Sequence, residues 1–258
     1  MTVDEGTGAV GWLRAILRLQ EEIVQSGVAM LFGSSLEAPN PSLVMERYGA
    51  QARSYDLVTA AGEPYRLQTV DRLDPMPGEV IVDVGCGTGL NFPPIEEGIG
   101  RRGLLLGVDL SAEMLAKARQ RADGAGWRNV RLLRSPANDV ELPVAPDAAL
   151  FCGTHDILRS PAALANVVGQ LKPGGRVVAA GPKWAPPWRA DALALNLYTW
   201  HLHRPFVTTF EGFDRPWSHL ARLVPDLKVE ECFFGGGYIA EGSTVPSADD
   251  RWDATMDA

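Results

Sequence analysis

The sequence predicts a doubly wound α/β fold: a mostly parallel sheet with helices on both faces, closed by a C-terminal antiparallel hairpin. Three observations predict it. Short apolar runs at 79–84, 104–108, 130–133, 148–152 and 176–180 read as buried strands. Helical stretches alternate with them, which is how a parallel sheet buries both faces. Glycines cluster where the first run ends, and a second cluster, Gly235–Gly236–Gly237, joins two short runs at 228–234 and 238–241 as a hairpin candidate.

The elements follow in order. Residues 1–8 read as disordered. Over 9–32, Trp12, Leu13, Ile16, Leu17, Leu19, Ile23, Val24 and Val28 recur at helical steps, with Arg14, Arg18, Glu21 and Glu22 largely off the stripe. Gly33, Pro39 and Pro41 interrupt this pattern. A second helical stretch spans 42–72 and is expected to break near Gly62–Pro64. In the alternating region, 111–121 is a helix with Ser111 as N-cap and Glu113 in its first turn. A helix over 161–171 stops before Pro173–Gly174–Gly175. Residues 181–222 break the alternation and hold Trp184, Trp188, Trp200 and Trp217 with His201, His203 and His219. The expected organisation is therefore an N-terminal helical lid (1–72), a Rossmann-like core (73–181), a Trp/His-rich cap insertion (182–224), a final hairpin (225–242) and a flexible tail (243–258).

Composition narrows the function. The chain has 258 residues, 46% hydrophobic and 22% charged, as in ordinary globular proteins. A formal net charge of −8 and the lack of a long Lys/Arg run argue against a nucleic-acid partner. Cys86, Cys152 and Cys232 fit neither a zinc site nor a disulfide framework, and no metal is expected. The acidic start MTVDEGTGAV does not read as a signal peptide, and no run of about 18 apolar residues exists, so a cytoplasmic location is expected. With only two basic residues, the 9–32 stretch suits covering an active site or pairing with a second copy better than lying on a membrane.

The chemistry concentrates in Val82–Asp83–Val84–Gly85–Cys86–Gly87–Thr88–Gly89–Leu90–Asn91. Glycines at 85, 87 and 89 allow a sharp turn and close approach to a ligand. A dinucleotide loop is G-x-G-x-x-G, whereas position 90 here is Leu and the spacing is G-x-G-x-G. Asp83 would repel a pyrophosphate and attract a sulfonium and an ammonium, which favours S-adenosylmethionine. Asp109, at the end of the second strand, is placed to accept hydrogen bonds from ribose hydroxyls.

The runs DVGCGTG, GVDLSAEMLAKAR and LKPGGRVV resemble the class I S-adenosylmethionine-dependent methyltransferases, in their small-molecule branch. The resemblance covers about residues 45–180 and, more loosely, 225–242. It implies that Asp83, Gly85, Cys86, Gly87 and Gly89 line the methionine end, with Asn91 helping to hold it. It also implies that Asp109 takes the ribose, that Leu110 and Met114 pack on the adenine, and that Cys152 and Gly153 form the floor. Tyr55, in ERYGAQARSYDLV, matches an aromatic that approaches the cofactor, and Tyr48 is a second candidate. Many relatives carry Gly-Asp-Ala after the third strand. Here the run is Arg134–Ser135–Pro136–Ala137–Asn138–Asp139, so Ser135 or Pro136 replaces the acid and the Ala137 N–H remains for an adenine nitrogen.

The expected function is methyl transfer to a small, apolar or aromatic acceptor by in-line displacement. A lipid acceptor, or a cofactor-binding protein acting as cyclase or binding module, are the alternatives. Catalytic candidates are His155, just past the fourth strand, His201 and Tyr55; Asp156 reads better as a helix N-cap. His201 and His203 lie two apart, so at most one faces a cavity. Trp184, Trp188, Trp200 and Phe206 are candidates for an apolar wall, and Lys183, just past the fifth strand, is expected to be solvated rather than to contact a substrate carboxylate. A homodimer is compatible with the sequence.

Overall fold

The apolar runs become strands because their side chains have core on both sides to enter. In the computed structural model, Asp56 and residues 59–186, 188–204 and 207–245 are described, all within the unit Ala38–Ala258. The helix expected over 9–32, the part of 42–72 before Asp56, Tyr48, Tyr55, Phe206 and the tail beyond Val245 lie outside the described residues. The elements are α1 (Glu63–Leu73), β1 (Val80–Val84), α2 (Phe92–Ile99), β2 (Leu104–Asp109), α3 (Ala112–Ala125), β3 (Val130–Arg134) and β4 (Ala148–Cys152). They continue with α4 (His155–Leu158), α5 (Pro161–Val168), β5 (Arg176–Pro182), α6 (Ala192–His203), β6 (Lys228–Cys232) and β7 (Gly237–Ser243).

The sheet runs β3-β2-β1-β4-β5-β7-β6. The pairs among β1–β5 are parallel, and β7 pairs antiparallel with both β5 and β6. This is the Rossmann-like arrangement with a C-terminal antiparallel hairpin. Alternation along the strands divides the core in two. Val82, Val84, Leu106, Val108, Phe151 and Val177 join one apolar cluster, and Ile81, Leu105, Leu150, Val178 and Ile239 join the other. The edge strand β3 carries exposed Arg131 and Arg134, and the edge strand β6 carries exposed Lys228, Glu230 and Glu231.

Local signals explain the helix ends. The Ser111 hydroxyl accepts from the Met114 N–H at 3.2 Å, and the Ser160 hydroxyl accepts from the Ala163 N–H at 3.3 Å. Gly126 ends α3 in the left-handed conformation. The expected break falls at 62–64: a single 3-10 turn, Ala60–Gly62, precedes it and α1 starts afresh at Glu63, with Pro64 in the first turn where its missing N–H costs nothing. The Arg176 guanidinium grips Glu79 with two bonds, at 2.9 and 2.6 Å, and donates to the Leu73 carbonyl, pinning the end of α1 under the sheet.

Helix α6 escaped the sequence reading because it is apolar nearly all round. Of its residues only Ala192 and Thr199 are buried, while Leu193 and Tyr198 are exposed. The short α4 starts at His155, one residue before Asp156, the N-cap the sequence suggests for a helix here.

Phe92 is fully buried, and its ring tip would lie 2.9 Å from a Cβ placed on Gly107 of β2. That Cβ would also meet Leu132 at 2.8 Å and the Cys86 sulfur at 3.1 Å. Gly107→Ala is therefore expected to lower stability by about 1–3 kcal/mol through overpacking. Denaturant unfolding read by circular dichroism checks this; an unchanged midpoint would show that these side chains yield freely.

Candidate cofactor and acceptor site

The parallel strands end together, so the loops after β1, β2, β4 and β5 share one edge of the sheet. The glycine loop leaves β1 there. Gly85, Gly87 and Gly89 have φ of 70°, 55° and 76°, conformations that favour glycine. A Cβ on Gly85 would sit 2.5 Å from the Thr154 methyl, so the loop packs tightly against the start of α4. A Cβ on Gly87 or on Gly153 would meet nothing within 4 Å, and those two glycines border open space.

Asp109 shapes the loop. Its carboxylate accepts from the Gly87 N–H and the Ser111 N–H, both at 2.8 Å. Burial is the main reason its pKa is raised; the backbone bonds oppose that shift.

Asp83 is buried, and the Asn91 amide donates to both its oxygens, at 3.1 and 3.3 Å. Burial pushes the Asp83 pKa up to about 7; the Asn91 bond opposes this and nearby Asp109 adds to it. Because the Asn91 nitrogen is engaged, its Oδ1 faces away, buried and without a hydrogen-bond partner among the described residues. A buried carboxylate beside an orphaned amide oxygen is an acceptor set that suits a cation. The positive end of S-adenosylmethionine fits it, and the open sides of Gly87 and Gly153 leave room for the rest.

The other expected residues distribute as follows. Cys86 is buried, and burial holds its thiol well above the ordinary range; burial takes Cys152 up to about 12. Both are neutral thiols rather than nucleophiles. Leu110 is half-buried beside Asp109, whereas Met114 is fully enclosed. Ser135 and Pro136 are half-buried, and Ala137 is buried with its carbonyl held by Asn166 at 3.0 Å. The Ser135 N–H donates to the Asp109 carbonyl at 3.3 Å, which draws this unusual loop to the end of β2.

The acceptor side brings several corrections. His155 is buried, its ring 4.2 Å from that of Phe213 and its Nε2 3.1 Å from the Glu211 carbonyl oxygen. Burial, opposed by that carbonyl, lowers its pKa to about 3, so it is a weak proton acceptor. On α6, His201 is exposed and the more buried histidine is His203, whose pKa falls to about 4 through burial. The N-cap of α4 is Thr154; Asp156 lies inside the helix and accepts from the Thr208 N–H at 3.3 Å. Lys183 is 3% exposed rather than solvated. Its ammonium contacts Glu231 at 2.9 Å and donates to the Gly235 carbonyl at 3.2 Å, because β5 delivers it into the hairpin instead of into solvent. Trp184 stacks on Phe210 and tilts against Phe213, both at 5.2 Å, while Trp188 is exposed and Trp200 lies under the Arg204 guanidinium.

Two features escaped the sequence reading. Asp56 accepts from the Thr88 hydroxyl at 2.5 Å and pairs with Arg121 at 2.6 Å, clasping the segment after Tyr55 to the glycine loop. Tyr65 of α1 donates to the Gly181 and Tyr238 carbonyls at the ends of β5 and β7. Both span long stretches of sequence, so no local pattern announces them.

Two outcomes are expected. Asp109→Ala should weaken S-adenosylmethionine binding by about 1–3 kcal/mol, the scale of lost hydrogen bonds to a charged acceptor. Isothermal calorimetry reads this directly, and an unchanged Kd would remove Asp109 from the ribose. The second concerns pH. A raised Asp83 pKa means the free protein binds a proton below about 7, and a cationic ligand must displace it. Affinity should therefore rise between about pH 6 and pH 7.5 and flatten in Asp83→Asn, whereas a flat profile in the unaltered protein would contradict the pairing.

Residues 81–175 match the family described as methyltransferase domain. Aklanonic acid methyltransferase of Streptomyces sp. (strain C5) is 28% identical over 201 residues, covering 66% of this chain and 90% of that relative. Nocamycin O-methyltransferase of Saccharothrix syringae is 35% identical over 138 residues, covering 50% and 47%. Apart from the first of these, the alignments span 36% to 62% of the curated relatives' own length. Phosphoethanolamine N-methyltransferase 2 of Haemonchus contortus, solved with S-adenosylmethionine, shares the fold at a TM-score of 0.58 and 15% identity, covering 77% of this chain and 57% of that one. Residues 81–175 match a methyltransferase domain, the relatives are methyltransferases, and the fold is that of S-adenosylmethionine-dependent methyltransferases; the chain is similar to the class I family in all three respects.

Proposed function

We propose that the protein transfers the methyl group of S-adenosylmethionine to a small, apolar or aromatic acceptor by in-line displacement. The observation that carries this reading is the aromatic wall of Trp184, Phe210 and Phe213 at the carboxyl end of β5, on the sheet edge that also holds Asp83 and the glycine loop. Relatives named for small molecules support it. The cofactor supplies a methyl carbon already activated by the sulfonium. The chain's own part is to hold, orient and keep water out.

In this reading Asp83 and the Asn91 Oδ1 bind the ammonium end, and Asp109 takes the ribose hydroxyls. Leu110, Ser135, Pro136 and Ala137 frame the adenine, with Met114 supporting them from inside α3. Gly85, Cys86, Gly87, Gly89, Cys152 and Gly153 let the backbone come close. Residues 182–224 form the cap over the acceptor, and Tyr55 is the candidate aromatic contact to the cofactor. His155 and His203 stay neutral at working pH and are weak bases, so the acceptor arrives ionised or loses its proton to water. His201 is exposed and takes no part.

The test is product formation. Full-length protein incubated with S-adenosylmethionine and pools of aromatic acids, phenols and amines should release S-adenosylhomocysteine in an acceptor-dependent way. Tight cofactor binding with no product across those pools would overturn the reading in favour of a non-transferring protein. At saturating cofactor, kcat should show no inflection in the ordinary histidine range near about pH 6.5, and His155→Gln should leave that profile unaltered. An inflection that disappears in the variant would restore His155 as the base.

A further inference from the structure

The hairpin turn that closes the sheet has an unusual exterior. Phe233 and Phe234 both lie in the left-handed region, at φ of 50° and 56°, which bulky side chains rarely adopt. Phe233 and Phe234 are 58% and 76% exposed, and Trp188 is 84% exposed. The segment carrying Trp188 packs against the turn. A Cβ on Gly235 would lie 2.9 Å from Pro186, and the Arg189 guanidinium sits 5.8 Å above the Phe234 ring. Strained backbone that presents aromatic rings to solvent contributes little to the core, and such strain persists where surroundings hold it.

Lys183 does the holding. Its backbone N–H donates to the Gly236 carbonyl at 2.9 Å, while its buried ammonium reaches the Gly235 carbonyl and Glu231. Phe233 is further steadied edge-on against Tyr65, with ring centroids 5.1 Å apart. The position of the turn is set by register. Pro182 pairs with Gly237, so the turn sits at the carboxyl end of β5, on the edge where the glycine loop lies. In the order β1-β4-β5-β7 it is three strand spacings from β1, about 14 Å. An acceptor whose reacting atom sits over β1 and β4 must be long and flat to touch it.

We propose that the Phe233–Phe234 turn, with Trp188 beside it and Lys183 as its positioning residue, grips the far rings of a planar, multi-ring aromatic acceptor. This deepens the methyl-transfer reading by naming the acceptor's class, and it rests on that reading for the direction of the ligand. The patch and the aromatic group at Trp184 both follow the carboxyl end of β5, and the patch's aromatic composition suits a flat π-system.

The test uses full-length protein saturated with S-adenosylhomocysteine and two probes, anthracene-2-carboxylate, read by fluorescence anisotropy, and benzoate as competitor. The three-ring probe should bind saturably, with benzoate at least about tenfold weaker. Phe233→Ala/Phe234→Ala should weaken the three-ring probe roughly five- to tenfold and leave the S-adenosylhomocysteine Kd unchanged. Lys183→Met should do the same by freeing the turn. Phe233→Leu/Phe234→Leu keeps the apolar volume, so it tests aromatic stacking where the alanine pair fails to fold. The proposal is overturned if wild type does not bind the probe, if leucine variants bind it as well as wild type, or if cofactor affinity falls in parallel. Self-association of wild type that the alanine pair abolishes would also overturn it, assigning the patch to a second copy. Probe binding that follows this pattern without methyl transfer to any acceptor would sink the activity and leave the surface assignment standing. Methyl transfer indifferent to all three variants would do the reverse.

Discussion

The site depends on one carboxylate. Asp109 ends β2 and bonds the Gly87 N–H and the Ser111 N–H together, one from the glycine loop and one from the cap of α3. It gives two strand-to-helix loops at the same edge one shared anchor. Its geometry is inherited from the sheet, because β1 and β2 pair in register up to Val84 and Val108, and the Val108 carbonyl then accepts from both Gly85 and Cys86. Rigid strands thus deliver the donors, and the acid fixes where they point.

Much of this was legible in sequence because it is local. The run before Asp83 has the length and the apolar character of a buried strand, and the observed β1 differs by one residue at its start. The glycine spacing and Ser111 carry their geometry in their residue types. What the sequence hid is non-local or aperiodic. Helix α6 has apolar residues on every side, so no stripe marks it. Lys183 reads as a surface cation until the hairpin folds beside β5, its turn supplying Gly235 and β6 supplying Glu231. Asp56 finds Arg121 across sixty-five positions, which no pattern along the chain predicts. The two histidines of α6 were separated correctly by their spacing, yet their burial, decided by the cap's packing, went to His203 rather than His201.

Burial sets the electrostatic character of the carboxyl edge. Tyr65 and Tyr238 are pushed up by desolvation, Cys86 and Cys152 likewise, and His155 and His203 are pushed down. Each shift favours the neutral form. The edge therefore presents a low-polarity environment in which buried Asp83 and half-buried Asp109 are positioned to meet positive charge. Such a setting strengthens attraction to a cationic ligand and offers little proton traffic of its own.

The two ends of the sheet have a separate consequence. β3 places Arg131 and Arg134 on one margin, and β6 places Lys228, Glu230 and Glu231 on the other. An open sheet edge is a template on which another strand can grow. Charged side chains along both margins make an added strand lose their solvation, so the seven-stranded sheet carries its own terminators. The hairpin that completes the fold thereby also stops it from continuing into a neighbouring molecule.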